Sequence, residues 1–119
     1  MTPAETLRTA AERLRALSLG APANNASWRY VKGSPNDSVR TESGWEVCYG
    51  DAPGDLRYIA AMHPGVGLAL GELLVAASLL VAGYPELGDD HDREACDDFA
   101  CDVIGRTLTL ARQILGTTP

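Results

Sequence analysis

The chain has 119 residues, of which 45% are hydrophobic, and a formal net charge of −6. This length fits one domain spanning residues 1–119, and the apolar fraction is sufficient for a folded core, which excludes a wholly disordered chain. Ten scattered basic residues accompany sixteen acidic ones. Proteins that contact nucleic-acid phosphates usually present a basic surface, so we expect no direct nucleic-acid binding.

Residues 2–19 predict an amphipathic helix. Thr2 and Glu5 have the spacing of a capping box, and Pro3 suits the first helical turn. Apolar residues at helical spacing mark its buried face: Leu7, Ala10, Ala11, Leu14 and Leu17. The stretch is charged and has no apolar signal-peptide region, so we expect a cytoplasmic protein with reduced cysteines.

Residues 27–49 predict a small antiparallel sheet of two or three strands. Strand-like segments alternate with turn-rich ones, at 27–32, 38–41 and 45–49. So small a sheet is not stable alone, and one face should pack on helices. We interpret Trp28 and Trp45 as core residues under the sheet, with an exposed partner-binding role as the alternative.

Residues 55–62 predict a short helix with Asp55 as its N-cap. Pro64 disfavours helical geometry at His63, so the helix should end there, and His63 can then cap the next helix with Pro64 in its first turn. We interpret His63 as a capping or packing residue rather than a general base, because a base needs an orienting partner and a pocket.

Residues 64–82 predict a central helix whose apolar side chains surround its axis instead of forming a stripe. Such a helix must be covered on most sides, and a chain of this size has few other residues to cover it. We therefore expect a homodimer whose interface covers the rest of the helix. The apolar run 66–83 approaches the length of a membrane span. Glu72 within it and the absence of basic residues at its ends favour a helix hidden inside protein, with Leu73 and Leu80, over a membrane span.

Residues 86–102 hold eight of the sixteen acidic residues. We interpret this segment as a solvated loop that leads into the last helix, whose first turn favours acids, and its spacing does not follow the EF-hand pattern. Asp89, Asp90 and Asp92 are weak candidates for contacting a partner.

His91, Cys96 and Cys101 are weak candidates for a metal site. Zinc sites usually combine two pairs of ligands. Here one cysteine pair encloses four residues, and on a continuous helix its members would point about 140° apart. Neighbouring acids raise the pKa of a thiol, which disfavours a nucleophilic cysteine. We therefore predict no cofactor and no catalytic residue.

The last helix is predicted to start near residues 93–97 and to stop at Gly116. Its expected buried face comprises residues at helical spacing: Ala100, Val103, Ile104, Thr107, Ala111, Ile114 and Leu115. Together the elements predict an α+β fold of about four helices around a nearly all-apolar central helix, with the small sheet near residues 27–49.

One segment resembles a known family. Asp55-Leu56-Arg57-Tyr58-Ile59-Ala60-Ala61-Met62-His63-Pro64-Gly65-Val66, followed by Leu68-Ala69-Leu70, resembles the D-x-x-[FY]-I-A-A-x-x-P segment of small phage and prophage proteins of the Ead/Ea22-like type, in their actinobacteriophage form. Residues 96–101 and 110–116 also resemble the end of such proteins. The resemblance implies a phage accessory protein of undefined biochemical role and supplies no catalytic residues. In this segment we expect Tyr58, Ile59 and Ala61 to fill a corner between helices.

The expected function is that of a non-enzymatic phage or prophage accessory protein that acts by protein–protein contact in the cytoplasm of a bacterial host. Two alternatives stay open. The acids of residues 86–102 would suit a nucleic-acid mimic that blocks a host or defence protein, if they were arrayed over one surface. With His91, Cys96 and Cys101, they would instead suit a metal-dependent enzyme acting on a small ligand.

Overall fold

The computed structural model describes residues 1–20, 27–88 and 98–116. Within these ranges the chain forms four α-helices, one short 3₁₀ helix and one three-stranded antiparallel sheet, which confirms the predicted α+β class. In chain order the elements are α1 (Pro3–Gly20), β1 (Trp28–Val31), β2 (Asp37–Thr41), β3 (Glu46–Gly50), α2 (Pro53–Ala61), α3 (Pro64–Gly83), the 3₁₀ helix (Pro85–Gly88) and α4 (Phe99–Leu115).

The residues group into two compact units. Met1–Arg15 and Leu70–Pro119 form one, called the helical unit below, and Ala16–Ala69 form the other, called the sheet unit. Helices α1 and α3 contribute residues to both. Each unit has its own cluster of buried apolar side chains.

The core of the helical unit is aliphatic. Its larger buried members include Leu7 from α1, Leu74 from α3 and Ile104 from α4, and Leu87 of the 3₁₀ helix joins them. Alanines on all three α-helices lie among them, which lets helix backbones approach closely. Gly88 marks another close approach, because a Cβ there would lie 2.8 Å from the Cβ of Pro3.

Helix α1 begins as predicted. The Glu5 backbone N–H donates to Thr2 Oγ1 (3.1 Å), and the Thr2 nitrogen donates back to Glu5 Oε2 (3.0 Å), which is a capping box. The prediction that Leu17 is buried is wrong, because Leu17 is 66% exposed and Ser18 is buried instead. At about 100° per residue, Ser18 returns to the side of Leu7, whereas Leu17 points about 80° away.

The sheet unit places α2 against one face of the sheet. The strand order is β1-β2-β3, and cross-strand neighbours Tyr30, Val39 and Cys48 lie on the face that packs on Leu56 and Ala60 of α2. This arrangement confirms the expectation that so small a sheet is covered by a helix.

Helix α2 differs from its prediction in where it starts and in which of its side chains are buried. It starts at Pro53, so Asp55 lies in the first turn and is not the N-cap. Proline at N1 sets the helical φ angle and loses no hydrogen bond there, which explains the earlier start. Tyr58 and Ala61 are exposed and Ile59 is half-buried, so the prediction that these side chains fill a helix corner is wrong for Tyr58 and Ala61.

Helix α4 begins at Phe99, later than the predicted start near residues 93–97. Asp98 has extended backbone and its Oδ1 accepts from the Ala100 N–H (2.9 Å), so it is the N-cap. Gly116 caps the other end with a left-handed φ of 74°. Val103 is exposed, contrary to prediction, and Leu108 is buried, because Leu108 lies about 40° around the helix from Ile104 and Val103 about 100°.

Candidate interaction surface

Helix α3 carries the candidate surface, and His63 positions its first turn. The Gly65 N–H donates to His63 Nδ1 (3.2 Å), and the Val66 N–H donates to the His63 carbonyl (2.9 Å). This confirms the capping role predicted for His63. Nδ1 of the imidazole is therefore engaged with the helix backbone.

One side of α3 faces the core of the helical unit. Leu74, Ala77, Ser78 and Val81 are buried there. The Ser78 hydroxyl donates to the Val75 carbonyl (2.7 Å), so the polar atom on this side is satisfied within the helix itself. This side of α3 is a structural face.

The opposite side of α3 is open, although it is equally apolar. Leu79 is 65% exposed, Leu73 49% and Leu80 38%. Only 28% of the most apolar 18-residue window of α3 is buried. Within a single chain Leu73 and Leu80 are therefore not hidden: the core neighbours of α3 among the described residues cover one side of it and leave the other uncovered.

Four exposed residues form a narrow stripe on this open side, which we call the α3 seam: Leu73, Ala76, Leu80 and Gly83. Their spacing alternates between three and four residues, as in the apolar stripe of a coiled coil. At about 100° per residue they lie within about 80° of one another around the axis. Large and small side chains alternate along the seam.

The open side of α3 is almost free of charge. Glu72 is the only charged residue between Pro64 and Gly83, and it is exposed. It lies about 60° around the helix from the centre of the seam. Its carboxylate therefore borders the seam and does not interrupt it.

The two tryptophans differ from each other. Trp45 follows the turn at Gly44 and is 76% exposed, so its predicted place in the core is wrong. Its backbone N–H donates to Thr41 Oγ1 (3.1 Å), which holds the turn and leaves the indole outside. Trp28 is half-buried against the core of the sheet unit, as predicted, although its buried Nε1 has no hydrogen-bond partner among the described residues.

A polar cluster joins β1 to β2. The Tyr30 hydroxyl and the Gly33 N–H both donate to the Asp37 carboxylate, and Arg57 stacks on the Tyr30 ring with its guanidinium carbon 4.7 Å from the ring centre. The hydrogen bond from Tyr30, then that from Gly33, and the nearby cations lower the pKa of Asp37. The same hydrogen bond is the main cause that raises the pKa of Tyr30. Tyr30, Gly33 and Asp37 fix the hairpin, and Arg57 packs α2 against it, so the cluster is structural.

Only some of the residues predicted as partner-binding acids or metal ligands lie within the part of the chain that the structure describes. Asp89, Asp90, His91, Asp92 and Cys96 lie outside the described residues. Cys101 is buried in the core of the helical unit. Within residues 1–20, 27–88 and 98–116, no three His, Cys, Asp or Glu side chains group closely enough to hold a metal ion.

Sequence reasoning expected one chain to have too few residues to cover α3, but it did not identify the side that stays open. A helix that is apolar all round gives no sign of which side its neighbours will cover. The positions of α1 and α4 decide it, and these depend on long-range packing. No protein-family model, curated protein or solved structure matches this chain.

Proposed function

We propose that this chain is a non-enzymatic protein that acts by protein–protein contact, with the open side of α3 as its binding surface. The observation that carries the proposal is the exposure of Leu73, Leu79 and Leu80 on one uninterrupted helix. Soluble proteins rarely leave large contiguous apolar patches open unless the patch binds something.

A phage or prophage accessory role in the cytoplasm of a bacterial host is part of this proposal. It rests on the resemblance of residues 55–70 to the Ead/Ea22-like proteins. That resemblance stays a prediction. Its motif residues lie at the capped junction between α2 and α3, where His63 starts the helix that carries the surface.

Protein suits the open side of α3 better than lipid does. The helix is long and apolar enough to cross a membrane. However, Glu72 lies within about two residues of its midpoint, and an acid at the bilayer centre costs about 2.5–3.5 kcal/mol. Neither end of α3 has a basic residue to anchor it at a lipid headgroup. At a protein interface the same carboxylate can stay hydrated or accept a hydrogen bond from the partner.

The two alternatives rest on residues 86–102. A nucleic-acid mimic needs carboxylates arrayed over a surface, whereas Asp98 caps α4 and Asp102 pairs with Arg106 (3.2 Å). A metal-dependent enzyme needs several ligands close together, and no three His, Cys, Asp or Glu side chains among the residues that the structure describes group in that way. The described part of the segment therefore supports neither alternative, and protein contact through α3 stays the proposal.

Site-specific photo-crosslinking tests the proposal. A benzophenone amino acid replaces Leu79 in one variant and Leu17 in the other, because both leucines lie on helices and are exposed to the same degree, 65% and 66%. On irradiation in the bacterial host, we expect protein adducts from position 79 and none from position 17.

Two results would contradict the proposal. The variant with the benzophenone at position 79 could give no protein adduct. Alternatively, this variant could float with phospholipid vesicles and give lipid adducts alone. In the second case α3 binds a membrane, and the argument from Glu72 is wrong.

A further inference from the structure

We draw no further inference here: the strongest candidate, the exposed patch of Trp45, Val47 and Tyr49 along the edge strand β3, carries nothing because no feature of the part of the chain that the structure describes shows what covers it.

Discussion

The helical unit and the sheet unit bury their apolar side chains in different ways. The helical unit packs aliphatic residues from three α-helices and the 3₁₀ helix, with alanines where backbones approach. The sheet unit has a small core of Val39, Leu56 and Ala60, with Trp28 and Tyr30 packed against it. Strands of four or five residues offer little area, so large aromatic rings supply the burial that a short sheet lacks.

Each unit also leaves some apolar side chains exposed. In the sheet unit, α2 covers one face of the sheet, while Trp45 and Tyr49 at β3 are exposed. In the helical unit, α3 is apolar on every side while its neighbours cover one side only. Both units therefore leave apolar surface exposed, on α3 in one and beside β3 in the other. Changes in each unit can test how independent the two cores are.

Leu74→Ala should have the largest effect. Leu74 is fully buried in the helical unit, and truncating a buried leucine costs about 2–5 kcal/mol of unfolding free energy. Urea unfolding should be followed by circular dichroism and by tryptophan fluorescence, because both tryptophans lie in the sheet unit. If residues 1–119 are one cooperative domain, as the sequence predicts, both transitions shift together.

The matched control is Leu79→Ala, on the open side of the same helix, which should change stability by no more than about 0.5 kcal/mol. A fluorescence transition that stays in place while the dichroism transition of Leu74→Ala shifts would show that the two units unfold independently. The single-domain prediction would then be wrong.

Val39→Ala should have the next largest effect, this time in the sheet unit. Val39 is fully buried in the middle strand, and losing two methyl groups costs about 1.5–3 kcal/mol with the cavity included. Urea unfolding by fluorescence measures it. Val47→Ala, at an exposed position of β3, is the control, and an equal loss from both variants would contradict the assigned burial.

Asp98→Ala should cost about 1 kcal/mol, within a range of about 0.5–2 kcal/mol, because the Ala100 N–H at the start of α4 loses its acceptor. Thermal unfolding by circular dichroism measures the loss. Asp98→Ser keeps a capping oxygen and should recover most of it. If Asp98→Ser lowers the unfolding free energy as much as Asp98→Ala does, the side-chain cap does not stabilise α4 as described.

The smallest expected effect is a pH dependence at Asp37 in the sheet unit. Its carboxylate form is favoured in the folded chain, which lowers its pKa from the ordinary value of 3.8. The resulting stabilisation is complete above that value and is lost as the pH falls through the lower, folded-state pKa. Asp37→Asn should remove this part of the pH dependence.

The measurement compares urea unfolding at about pH 3 and pH 7 for both proteins. Tyr30→Phe serves as a second variant, because it deletes the hydrogen bond that contributes most to the shift, and it should reduce the dependence in the same direction. An unchanged pH profile in both variants would show that the Tyr30 contact does not favour the carboxylate.

Sequence reasoning was most successful where a local rule applied. The capping box of Thr2 and Glu5, the role of His63 and the stop at Gly116 each depend on atoms a few residues apart. It failed where it had to decide which residues of a helix face the core. Leu17 and Val103 are as apolar as core residues, yet Ser18 and Leu108 are buried in their place, because helix rotation decides the choice and hydrophobicity does not.

The same limit applied to Trp45 and to α3. An aromatic residue in a strand-rich segment is usually buried, but the turn at Gly44 directs Trp45 outward. For α3, the sequence shows that every side is apolar and cannot show which side has neighbours. The exposure of Leu73, Leu79 and Leu80 follows from how many elements pack around the helix.

By itself, then, the sequence determined the α+β class, the order of the elements and most of their ends, since caps, prolines, glycines and the spacing of apolar residues act over one or two turns. Only the tertiary structure decided which apolar faces are covered, because burial depends on elements that are distant in the chain. The open side of α3 belongs to this second class.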